Sequence, residues 1–82
     1  MTPVPQAQKT GMAPQTLSIQ VNGESRQVAA GLSVAALAAE LGLDPARVAV
    51  ERNLKIVPRS TMGEVVVEHG DCFEIVTFVG GG

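Results

Sequence analysis

The 82-residue chain closes on Phe78-Val79-Gly80-Gly81-Gly82, three glycines after a run of strand-forming residues. Glycine brings no side-chain chemistry, so such an ending can offer only access. Without a Cβ the last residues can extend through a narrow channel, take backbone angles closed to other residues and bring a carbonyl close to another protein's groups. Taken alone, a glycine-rich terminus reads as a tail or a cloning remnant. Here it leaves directly from the strongest β run of the chain, CFEIVTFV.

The side chains offer less. Cys72 is the only cysteine; it could be imagined as a sulfur acceptor, but a single thiol where a turn meets a strand reads as a small hydrophobe. His69 is the only histidine and stands beside Gly70-Asp71, so no metal site and no catalytic base is expected from this chain. It reads as a solvated turn residue. Arg59, after Pro58, could pair with an acidic patch on a partner, although a surface arginine with only local contacts is the commoner case.

These residues need a scaffold, and composition bounds it. Eighty-two residues close one small core and leave no room for a bilobed fold. With 45% apolar and 17% charged residues the chain lies outside the composition of disordered proteins. A net charge of -2, basic residues scattered singly and two aromatics give neither the basic footprint nor the stacking platforms of a nucleic-acid binder. One cysteine allows no internal disulfide and no cysteine-rich metal site. No apolar stretch approaches the roughly 20 residues of a membrane span. Residues 1–15 hold three prolines and no signal-peptide core, so they are expected to be a disordered extension, with Met1 or Met12 as the true start. A soluble, cytoplasmic protein is expected.

From Thr16 the pattern is regular. Leu17, Ile19 and Val21 alternate with Ser18 and Gln20, the period of a strand with one buried face. Asn22-Gly23 accepts the positive φ values of a tight turn, so Ser25 to Val28 should return antiparallel. Val34, Leu37, Ala38 and Leu41 form one apolar helical stripe, with Ser33 as N-cap, Leu32 and Leu37 as a hydrophobic staple and Gly42 as the stop. Asp44-Pro45 marks a turn, Val48 and Val50 a third strand, and Pro58 closes the IVP stretch. EVVVEHGD reads as a short strand ending in a turn at Gly70-Asp71. In the last strand Phe73, Ile75, Thr77 and Val79 share one face, and Cys72, Glu74, Val76 and Phe78 the other.

A hairpin, a crossing helix and returning strands make an α+β sheet with the helix packed over one face. Such a mixed sheet of four to five strands, its first and last strands adjacent and parallel, is the β-grasp or ubiquitin-like architecture. The domain is expected to span residues 16–79, followed by a flexible tail, 80–82. Its uncovered face, with Val76 and Phe78, is expected to be a docking surface.

The NG turn, the helix LSVAALAAELG, the block AVERNLKIVPRS and the ending HGDCFEIVTFVGGG resemble the thiamine-biosynthesis sulfur carrier protein family. The resemblance covers about Leu17 to Gly82. Its most specific pieces are Ile56-Val57-Pro58-Arg59 and a Gly-Asp turn leading through an apolar strand into terminal glycines. The family often has a tryptophan shortly after the proline-arginine pair; here the nearby apolar residue is Met62, which bears on local packing only.

The resemblance implies that the reactive group is the carboxylate of Gly82. A partner of the ubiquitin-activating type, an adenylyltransferase and sulfurtransferase, would adenylate it with ATP, and sulfur would then displace AMP to leave a thiocarboxylate. Gly81 supplies the family's second glycine, and Gly80 is an additional flexible position. Thiazole synthase is the implied recipient and a cysteine desulfurase the implied sulfur source. The carrier itself would be no enzyme and would bind no cofactor; ATP, magnesium and any zinc belong to the adenylating partner. The small subunit of molybdopterin synthase is the alternative within the same architecture, and the IVPR block favours thiamine. A plain interaction module with an incidental tail is the alternative from another class. Attachment to target lysines is chemically open, but no residue argues for it.

Overall fold

The computed structural model describes residues 15–78. Of the expected N-terminal extension only Gln15 falls within that range; Val79 and the tail glycines Gly80, Gly81 and Gly82 lie outside the described residues.

Strands β1 (Thr16–Val21) and β2 (Glu24–Ala29) pair antiparallel from Thr16↔Ala29 to Val21↔Glu24. Asn22 and Gly23 between them have φ of 52° and 85°, the two positive angles whose twist matches that of the flanking strands. Helix α1 (Val34–Glu40) follows, with Ser33 Oγ accepting from Ala36 N at 3.0 Å and Gly42 at φ 81° beyond its end. Val34, Leu37 and Ala38 are buried, and Leu32 and Leu41 are packed against the core at the two ends of the helix. A 3-10 turn, Pro45–Arg47, is capped by Asp44 and leads into β3 (Val48–Arg52), which pairs antiparallel with β4 (Lys55–Val57). The chain ends its described course in β5 (Cys72–Thr77).

The sheet order is β2-β1-β5-β3-β4, with β5 parallel to β1 and antiparallel to β3. This is the ubiquitin-like β-grasp: a five-stranded mixed sheet whose last strand runs through its middle. Ile19, Val21, Val28, Val50, Phe73 and Ile75 face the helix, and with Val34, Leu37, Ala38, Val48, Val57, Met62 and Val67 they form one core. Phe73, Leu37 and Val34 are its largest fully buried side chains. Met62, where a tryptophan was the family expectation, fills the same core.

One expected element does not form as expected. EVVVEHGD contains no sheet strand; Val66 makes a single isolated bridge with Ser33. The alternation of buried Val67 and exposed Val66 is real, but the partner is the helix. The first N–H groups of a helix have no partner within it. Here Val34 N donates to Val65 O and Ala35 N to Met62 O, each at 2.9 Å, while Val67 N donates to Leu32 O at 2.8 Å. The stretch therefore closes the helix start instead of joining the sheet.

Candidate functional site: the central strand and its outer face

The tail leaves from β5, so whatever fixes β5 fixes where the tail starts. Three sets of hydrogen bonds do so. β1 stops at Val21, and its ladder with β5 ends at Val21↔Phe73. Asn22 then takes over: its N donates to Phe73 O at 2.8 Å, its Oδ1 accepts from Ile75 N at 2.8 Å and its Nδ2 donates to Ile75 O at 3.2 Å. One side-chain amide thus replaces a missing residue of strand.

On the other side Asn53, also at positive φ, donates through its N to Cys72 O at 2.7 Å and accepts at Oδ1 from Cys72 N at 2.9 Å. The third set centres on Asp71, the one buried charged residue among those described, at 5% exposure. Its carboxylate accepts from Arg52 Nε at 2.9 Å, Asn53 Nδ2 at 3.1 Å and Glu68 N at 2.8 Å. A buried carboxylate is tolerated when its oxygens are satisfied in this way. Its own carbonyl accepts from Gln20 N at 3.0 Å, so the turn is fastened to β1 and β3 together at the point where β5 begins. Downstream, Phe78 N donates to Arg47 O at 2.8 Å, so the pairing with β3 continues to the last described residue.

The helix covers one face of the sheet; the other carries an exposed apolar group on its β5-β3-β4 half. Ile56, Val76 and Phe78 are 75%, 59% and 53% exposed. They line a groove of ≈ 380 Å³ together with Ala49, Glu51, Pro58, Arg59 and Glu74. Arg59 is exposed, and its Nη2 donates to Val48 O at 2.8 Å. Pro58 has ended β4, so Val48 lies beyond the last β3-β4 pair, Val50↔Val57, and the guanidinium satisfies the carbonyl that β4 no longer reaches. Arg59 is therefore part of the fold as well as of the groove.

The structure thus brings Phe78, Val76 and Arg59 into one groove, while Gly80, Gly81 and Gly82 lie outside the described residues. Cys72, expected as a small hydrophobe, is exposed, its Sγ 3.9 Å from Gln20 Oε1. The parallel register sets it on the outer face opposite Gln20. His69 is exposed and also structural, Nδ1 accepting from Ser18 N at 3.1 Å. Among the described residues no group of three or more His, Cys, Asp or Glu side chains is placed to hold a metal ion, and no helix is long and apolar enough to cross a membrane. Sequence reasoning missed Asn22 as a clamp, Asn53, Arg52 and the anchoring role of Asp71 in its Gly-Asp turn, and it did not place Ile56, Glu51 or Glu74 in the docking face. Asp71 carried a usable signal, since an acidic residue after Gly70 at a strand start can anchor a turn; the others carried none.

Comparison with known proteins agrees with this geometry. The chain matches the thiazole synthase of Paramagnetospirillum magneticum with 52% identity over 66 residues, and that of Magnetococcus marinus with 44% over 66 residues. Each match takes in 80% of this chain and 20% of the relative, so the chain spans about a fifth of the length of those proteins. The crystal structure of the thiamine biosynthesis protein ThiS from Geobacter metallireducens superimposes with a TM-score of 0.68 at 32% identity, covering 80% of this chain and 100% of that one. Residues 19–82, from the buried centre of β1 to the last glycine, match the ThiS family, and the chain belongs to it.

Proposed function

We propose that the chain is a sulfur carrier of thiamine biosynthesis, itself no catalyst, whose Gly82 carboxylate is activated and loaded with sulfur for delivery to a thiazole synthase. A carboxylate is a poor acyl donor. Attack of its oxygen on the α-phosphorus of ATP, with loss of pyrophosphate, makes an acyl adenylate with a good leaving group. A sulfur nucleophile then adds at the carbonyl carbon, the bond to AMP breaks, and one carboxylate oxygen departs with AMP. ATP and magnesium bind the adenylating partner. A cysteine desulfurase supplies the sulfur as a persulfide, whose terminal sulfur is the nucleophile that leaves an acyl disulfide. A thiol reductant then cleaves the S–S bond, releasing the thiocarboxylate and taking up the other sulfur in a disulfide.

The observation that carries this proposal is that the family match runs through Gly82, on a domain whose final strand is held centrally on both sides. A side chain on the last residue would crowd the attacked carbon; Gly82 and Gly81 leave it open, and Gly80 lengthens the reach. Val76, Phe78 and Arg59, close to the point where the chain leaves β5, form the docking groove. The names of the two thiazole synthase relatives support that recipient.

The test is the intact mass of the chain after incubation with its adenylating enzyme, ATP, magnesium and a sulfur source. Exchange of one oxygen for sulfur, absent from a variant lacking Gly82, is the expected result. An unchanged mass with a demonstrably active enzyme defeats the proposal.

A further inference from the structure

The groove on the outer face has an electrical direction. At one end, beside Phe78 and the exit of β5, lies the Arg59 guanidinium, tied to Val48. At the other, Glu51 and Glu74 are direct cross-strand partners. Like charges facing each other across an antiparallel pair destabilise a sheet, so the fold gains nothing from them. Among the described residues the ion pairs are those of Arg52 with Glu68 and Asp71, and neither Glu51 nor Glu74 is neutralised. The nearest cations in sequence cannot help: Arg52 and Lys55 are partners one residue along, and alternate residues of a strand leave on opposite faces. Between the two charged ends lies Val76, apolar and 59% exposed, opposite Ala49; Ile56, also exposed, stands across from Glu51 at the acidic end.

From this we infer that the groove takes a protein surface presenting an apolar side chain between a carboxylate and one or two guanidinium or ammonium groups, the carboxylate on the tail side. Val48 and Glu51 are three residues apart on β3, so the two charged subsites are separated by about 10 Å at ~3.3 Å per residue. A flat apolar contact fixes no rotation, whereas a contact with opposite charges at its ends has one favoured orientation. That orientation sends the Phe78 end of β5 toward the same side of the partner in every encounter. A second copy turned about a two-fold axis through the middle of the groove would bring one guanidinium to each pair of carboxylates and leave one carboxylate at each end without a partner. A surface with two cations matches the acidic end better, and dimerisation is scored as an outcome of the test.

The inference rests on the carrier reading, and the test separates the two. The full chain is titrated by calorimetry into thiazole synthase from the same organism, at low and at physiological ionic strength, beside E51Q/E74Q and R59Q. Glutamine keeps shape and hydrogen bonding, and removing the cross-strand repulsion should leave the E51Q/E74Q melting temperature equal to or above that of the parent. Expected is a Kd weakened at least roughly tenfold for E51Q/E74Q at low salt, a smaller loss for R59Q, and a flatter salt dependence for both. Parental binding left unchanged by E51Q/E74Q overturns the inference, and so does a parent that does not bind the synthase, or one that dimerises through Phe78. Transfer of sulfur to Gly82 is scored separately by mass, so a failure of the carrier reading is seen independently of the groove.

Discussion

Replacing Asp71 by alanine should cost the domain a large part of its stability, and the size of the loss follows from what the carboxylate holds. Three donors converge on it: Arg52 Nε, Asn53 Nδ2 and Glu68 N. Hydrogen bonds to a charged group contribute about 1.5–3 kcal/mol each, which bounds the loss at about 5–9 kcal/mol. Arg52, with its side chain 25% exposed, and the exposed Asn53 and Glu68 regain water when the carboxylate goes. The expected cost therefore falls to about 3–5 kcal/mol, as for breaking a buried pair. A domain of this size has only about 3–10 kcal/mol in total, and at 4–8 °C per kcal/mol the melting temperature drops by at least about 12 °C. Urea titration of the parent, Asp71→Ala, Arg52→Ala and the double variant gives the cycle. The Arg52-Asp71 coupling should reach about 1.5–3 kcal/mol. A coupling near zero, or a single-variant loss below about 1 kcal/mol, would refute the claim that this buried carboxylate fastens the start of β5.

Three smaller perturbations probe other parts of the frame. Asn22→Gly keeps the positive φ of the turn but removes both bonds to Ile75; a loss of about 1–2 kcal/mol is expected in urea unfolding, with earlier hydrogen exchange at the Ile75 amide than at Phe73. Ser33→Ala removes the side-chain acceptor at the start of α1 and should cost about 1 kcal/mol, measured by thermal unfolding. Phe78→Ser should leave the melting temperature nearly unchanged, since the ring is half exposed, while weakening calorimetric affinity for the adenylating enzyme; unchanged affinity would remove Phe78 from the docking face.

The sequence by itself determined what depends on neighbours along the chain. Asn22-Gly23 closes the hairpin and Gly42 stops the helix because few other residues take their positive φ values. Ser33 caps α1 because the hydroxyl reaches an N–H three residues on. The faces of β5 followed from strict alternation, and the glycines at the end were readable without coordinates. Only the tertiary structure decided the rest. The valines of 64–67 carry a strand's pattern, yet they close the helix start: Val65 O accepts from Val34 N and Val67 N donates to Leu32 O, so their backbone is used by the first turn of α1 and not by an edge of the sheet. Asp71, Arg52 and Asn53 meet across 18 and 19 positions, a separation at which no local pattern shows which side chains will share a site. Glu51 and Glu74 are 23 positions apart and become neighbours through the register of β3 against β5. Composition sees two ordinary surface glutamates; folding sets their like charges face to face and leaves them unneutralised.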